Sequence, residues 1–135
     1  MSIKEQQQQE DRIQQEMVVD YNNTYCLTTH PHRSLIFHVP NQNQQHLASI
    51  GVLGGVSDLI VLHRAVSTHK ALHIYIEVKT PTGSQSPKQV AFQQRIEALG
   101  YEYYVVRTLQ EFQQLIERIH RRELAKPSTM PFLTT

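Results

Sequence analysis

Apolar and polar residues alternate along Leu72-His73-Ile74-Tyr75-Ile76-Glu77-Val78-Lys79. A period of two puts Ile74, Ile76 and Val78 on one face of a strand and Glu77 and Lys79 on the other. Ser34–Val39 and Val56–His63 read as two earlier strands, the first stopped by Pro40-Asn41, and Tyr101–Val106 as a fourth. Helical spacing governs the rest. Ile13, Met17, Val18 and Tyr21 mark one face of a helix that begins in the Gln-rich run of residues 4–22 and continues to about Asn22. Ser86 and Pro87 suit the N-cap and first position of a second helix, which turns Val90, Ala91 or Phe92, Ile96 and Leu99 inward and ends at Gly100. Thr108 caps a final helix from Leu109 to about Leu124, with Phe112, Leu115, Ile116 and Ile119 inward. Residues 25–32 show no period, and 41–55 form a polar, then Gly-rich connection with room for a short helix over 44–50.

The predicted order is helix, strand, strand, strand, helix, strand, helix. The short polar tip over 64–70 makes strands two and three antiparallel, and the helix between strands three and four makes that pair parallel with a right-handed crossover. The expected fold is α/β, a mixed sheet flanked by helices. Residues 1–126 form one domain and 127–135 a tail, since 135 residues suffice for a single core without disulfides or structural zinc.

Charge changes the picture in one respect. A net charge of +1 and a pI near 8.0 exclude a general polycation, so any nucleic-acid surface must be local. The single Cys26 cannot close an internal disulfide, the N-terminus lacks the apolar core of a signal peptide, and no apolar run approaches a membrane span. These features predict a cytoplasmic protein, neither secreted nor membrane-bound.

The candidate chemistry lies on strands two and three. Pairing them brings Asp58 beside Glu77 and Lys79, and charges on a mostly apolar sheet are expensive unless they bind something. Oxygen ligands for a divalent cation with a lysine alongside suit phosphodiester cleavage. Taken alone, Glu77 and Lys79 fit a solvated cross-strand ion pair better than a metal site. Cys26, His30, His32 and His38 invite a zinc site but lack a second Cys-x-x-Cys limb, so a polar loop that holds histidines is the simpler reading. Arg118, His120, Arg121, Arg122 and Lys126 suit either DNA phosphates or the negative end of a helix.

Four segments sharpen the choice: Val39-Pro40-Asn41, Gly55-Val56-Ser57-Asp58-Leu59, Ile76-Glu77-Val78-Lys79-Thr80, and Gly83-x-x-Ser86-Pro87-x-Gln89. With Gly100-Tyr101 and Val105-Val106-Arg107, they resemble the VRR-NUC branch of the PD-(D/E)xK nuclease superfamily over roughly residues 10–119. Ser57 departs from the pattern, which usually has proline there. The resemblance implies a restriction-endonuclease-like core and Mg²⁺ or Mn²⁺ held by Asp58, Glu77 and the Val78 carbonyl. Lys79 would orient a water or offset charge on the phosphate. It implies a further acid on the first helix, best matched by Glu10, with Glu16 and Glu5 on the same helix as alternatives. Gln89 and Gln14 match its supporting glutamines. The implied activity is a DNA endonuclease specific for branched DNA such as four-way (Holliday) junctions, acting in DNA repair. A flap or restriction-like nuclease and a non-catalytic DNA-binding relic are the alternatives. Paired cuts by one small domain imply a homodimer, for which Tyr21, Tyr25, Leu27, Leu35 and Phe37 are candidate contacts.

Overall fold

The computed structural model describes residues 2–29, 33–40, 51, 53–65 and 70–122. Helix α1 spans Ile3–Tyr25, longer at both ends than its apolar stripe, because Ser2 and Glu5 form a capping box that starts it early. Strands β1 (Leu35–His38), β2 (Leu59–His63), β3 (Leu72–Val78) and β4 (Glu102–Val106) alternate with α2 (Pro87–Ala98) and α3 (Leu109–His120) as the sequence predicts. The sheet order is β1-β2-β3-β4. β1–β2 and β2–β3 are antiparallel, and β3–β4 is parallel.

α1 and α3 cover one face of the sheet. Met17 and Tyr21 meet Leu59, Val61, Ile74, Ile76, Phe112 and Ile116 in one continuous core. All four residues expected inward on α3 are buried. A polar chain crosses this core: the Tyr21 hydroxyl lies 2.6 Å from His63 Nδ1, and His63 Nε2 lies 2.9 Å from His120 Nδ1. It ties α1, β2 and α3 together, so fully buried His63 has partners at both ring nitrogens. Tyr21 is thus a core residue and is unavailable as a dimer contact.

α2 departs from the expected inward set. Only Ile96 is buried, and Leu99 is 69 % exposed. The helix packs on the opposite face chiefly through Phe92, whose ring lies 5.9 Å from Tyr75 and 6.2 Å from Tyr103. It therefore covers β3 and β4, while Leu35 and Phe37 on β1 stay 52 % and 40 % exposed. β2 also begins three residues later than expected, at Leu59, because Val56–Asp58 form a bend in which the buried Ser57 hydroxyl donates to the Leu59 carbonyl at 3.3 Å. The expected short helix over 44–50 and the tail from 127 lie outside the described residues.

Gly55 holds the bend against α2. Its φ is +79°, and a Cβ there would stand 2.4 Å from the Lys88 carbonyl oxygen. Gly100, just beyond α2, has φ +90° with nothing within 4 Å. Gly55→Ala is therefore expected to cost distinctly more than Gly100→Ala. The Gly100 change carries only the left-handed backbone penalty of about 1–2 kcal/mol, whereas the Gly55 change adds a clash with main chain that cannot move without displacing α2. Urea unfolding of the two variants checks this.

Candidate functional site

Asp58 enters the site through the strand register. Leu59 pairs with Ile76, so Asp58, one residue before β2, stands opposite Glu77 on the α2 face. Its Oδ2 accepts the Val78 N–H at 2.8 Å. Its carbonyl accepts the Val39 N–H at 2.9 Å and lies 2.8 Å from His38 Nδ1. The aspartate is thus fixed at both main chain and side chain.

Glu77 is fully buried. Gln89, on the first turn of α2, donates from Nε2 to Glu77 Oε1 at 2.7 Å, while its own Oε1 accepts the Ser86 N–H at 2.8 Å. One glutamine side chain therefore completes the helix cap and orients the carboxyl. Among the described residues, Glu77 Oε2 has no protein partner. Burial first, and then the neighbouring Asp58 charge, push the Glu77 pKa up to about 9, against the opposing charge of Lys79. A carboxyl kept protonated at neutral pH, with one oxygen unsatisfied, is costly in the free protein.

Lys79 is buried, and its N–H donates to the Val106 carbonyl at 3.0 Å, continuing the β3–β4 ladder beyond the strand. The turn after it is clamped by Arg107, whose Nη1 donates to the carbonyls of Thr80 at 2.7 Å and Gly83 at 2.6 Å. Gly83 also lies close to α1, because a Cβ there would stand 2.8 Å from Gln6 Nε2. This turn is what brings α1 to the end of the sheet.

Among the first-helix acids, the structure favours Glu10. It accepts the Thr80 N–H and feels both Lys79 and Asp58; desolvation is the largest influence and raises its pKa. Glu5 is spent on the capping box, and Glu16 is exposed. Even so, Glu10, Asp58 and Glu77 do not form a ready-made metal cage: among the described residues no three His, Cys, Asp or Glu side chains stand in a metal-holding group. Glu10 is turned to the Thr80 main chain, so the expected second-ligand geometry is not preformed. Gln14 meets His38, 3.1 Å from Nδ1, and among the described residues makes no hydrogen bond to Asp58 or Glu77.

The zinc alternative loses His38 to these contacts, and burial raises the Cys26 thiol pKa, which disfavours a thiolate ligand. His30 and His32 lie outside the described residues. In the basic stretch, Arg121 pairs with Glu117 at 2.8 Å and Arg122 with Glu102 at 2.9 Å, so both have acidic neighbours. Lys126 lies outside the described residues. Two contributors escaped sequence reading. His38 reads as a residue of the first strand near a possible zinc cluster, and Arg107 as part of the Val105-Val106-Arg107 match with no role of its own, because neither contact has a local pattern.

The family model for the VRR-NUC domain matches residues 3–110. Two solved structures resemble the chain. One, titled "VRR_NUC domain", is 19 % identical with a TM-score of 0.56, and the match covers 81 % of this chain and 95 % of that one. The other, titled "VRR_NUC domain protein", is 22 % identical with a TM-score of 0.61, covering 81 % and 85 %. At such identities the likeness shows the fold. No curated protein matches.

The raised Glu77 pKa sets a pH dependence. Its ordinary value is about 4.3 in an unfolded chain, so between that and about 9 the folded state holds more protons than the unfolded state. The contribution of Glu77 is then fully present at low pH and lost as pH rises through that window. Without divalent ions, the wild-type melting temperature should fall from pH 5 to pH 9. Glu77→Gln, which keeps the Gln89 bond without the charge, should flatten that fall and melt higher at pH 8.5. Thermal melts in chelator across this range check both.

Proposed function

The chain belongs to the VRR-NUC domain family, a family of nuclease domains, and we propose that it is a metal-dependent DNA endonuclease with Asp58, Glu77 and Lys79 at its centre. The observation that carries this reading is the pairing of Asp58 with a buried Glu77 whose second oxygen has no partner among the described residues.

The donor set fits a hard cation. Two carboxylates and the Val78 carbonyl offer oxygen alone, which suits Mg²⁺ or Mn²⁺, and a dication would satisfy Glu77 Oε2 and favour release of its proton. Bound there, the ion would polarise the scissile phosphate and lower the pKa of a water. The protein's own residues do the rest. Gln89 holds the Glu77 carboxyl in place, and the Val78 N–H holds Asp58. Lys79, buried beside them, is suited to offset charge growing on the phosphate or to orient the attacking water. Glu10, two turns into α1, has the charge to hold a second ion or an ion-bound water once it leaves the Thr80 N–H.

The substrate in this reading is branched DNA, four-way junctions first, cut by a homodimer. One domain supplies one Asp58–Glu77–Lys79 set, and paired scissions need two. The apolar strip Leu35 and Phe37 on edge strand β1, beside half-buried Ile60 and Leu62, is the surface assigned to the partner copy. Tyrosine and phenylalanine enrichment at interface cores suits Phe37 in that role.

Asp58→Ala and Glu77→Ala should each abolish cleavage of a four-way junction in Mg²⁺ or Mn²⁺ while the protein stays folded. Wild-type rates in both would end the assignment. Lys79→Ala should lose rate, on the order of 10²–10³-fold, yet keep Mn²⁺ binding by calorimetry; lost metal binding in a folded variant would give the lysine a different role. Parallel digestion of junction, flap, splayed-arm and linear duplex DNA ranks the substrates.

Light scattering should give about twice the 15.7 kDa chain mass. Phe37→Glu should return the mass to one chain and cost the paired cut more than the first cut. A wild-type monomer that still resolves junctions would remove the dimer and favour a flap-type enzyme.

A further inference from the structure

We propose that His38 is a positioning residue for Asp58, acting through its Nδ1–H on the Asp58 main-chain carbonyl. The inference rests on the nuclease reading and extends it to a histidine on the neighbouring strand.

The hydrogen bonding fixes the tautomer. His38 Nδ1 lies 2.8 Å from the Asp58 carbonyl oxygen, and a carbonyl only accepts. Nδ1 must therefore carry the proton. Gln14 contacts the same nitrogen at 3.1 Å, so it must present its amide oxygen there, with the amide turned over from an Nε2 contact. The Nδ1–H is then shared between two acceptors, one on α1 and one on the strand that carries the aspartate. His38 itself ends β1 and pairs with Leu59, the residue after Asp58.

Asp58 needs such a hold. It sits before β2 begins, after a Gly54-Gly55 bend, where the β2–β3 ladder has not yet started. Its carbonyl has the Val39 N–H at 2.9 Å as its other donor, and its carboxylate has the Val78 N–H. The Val39 bond fixes the carbonyl in the plane of the sheet. The imidazole adds a second direction and links the carbonyl to Gln14, one helical turn after Glu10 on α1. A rotation of the Asp58 peptide would swing its carboxylate away from Glu77, and groups that hold a site must do so to within about 0.5 Å.

The two ring nitrogens can be tested separately. An asparagine at 38 places an amide N–H near the position of Nδ1, and a glutamine places one near Nε2. Mn²⁺ binding by calorimetry, melting temperature, and kcat and KM on a four-way junction are measured for wild type, His38→Ala, His38→Asn and His38→Gln. His38→Ala and His38→Gln should each lose about 10–100-fold in Mn²⁺ affinity and kcat, the usual effect of removing a group that orients a ligand. KM for DNA should be nearly unchanged. His38→Asn should stay within about threefold of wild type, by the same reasoning.

Retained function in His38→Gln with loss in His38→Asn would overturn the proposal, because Nε2 would be the working atom. Wild-type behaviour in all three, or loss confined to KM, would overturn it equally. If His38→Ala does not fold, the Asn and Gln variants decide between the two nitrogens alone. A wild-type protein that neither binds Mn²⁺ nor cuts DNA refutes the nuclease reading itself, a result distinct from any difference among the variants.

Discussion

Leu59 pairs with Ile76, and that single register sets Asp58 across from Glu77. The apolar face enforces it: a slip of one residue would turn Ile74, Ile76 and Val78 out of the core and bury the polar set in their place. Fixing two acids side by side has an electrostatic consequence. With Glu77 fully buried, the pair avoids carrying two charges by keeping a proton on Glu77. In the proposed function, a bound cation would relieve that cost.

The surrounding elements are arranged to hold that pair steady. Gln89 serves two structures at once, since the capping box that starts α2 also aims its amide at Glu77. α2 is a poor amphipath whose single buried apolar residue is Ile96, so its placement owes much to contacts at its N-terminal end. Gly55 against the Lys88 carbonyl is one of them. Arg107 plays the corresponding part on the far side of Lys79, clamping the turn that meets α1. The pair is therefore held through the Gln89 side chain, the Gly55 contact under α2 and the Arg107 clamp, while Glu10 is turned to the Thr80 main chain.

The two halves of the molecule do different work. The Tyr21–His63–His120 chain and the α1–α3 core lie toward the far end of α1 from Glu10 and lock the helices to the sheet. The α2 face is covered over β3 and β4 but leaves the β1 strip open. The buried core is thus concentrated on the face covered by α1 and α3, while the other face keeps exposed apolar side chains on β1.

Period and punctuation sufficed for most of the fold. The alternation in β3, the Ser86-Pro87 start, the Thr108 cap and the α3 stripe are local signals, and each led to the observed element. Asp58, Glu77 and Lys79 were legible because residues on neighbouring strands are placed by register, which hydrophobic alternation dictates. Other features depend on distant parts of the chain. Leu99 looked like core but lies outside, because α2 rests on aromatic rings of β3 and β4 rather than on a stripe of its own. Gln14 looked like a partner of the carboxylates but meets His38, since α1 crosses the sheet where β1 ends. Tyr21 looked like interface and is core, because His63 and Phe112 close over it. Sequence periodicity reports which face a residue takes within its own element; what stands opposite that face is decided only when the elements pack.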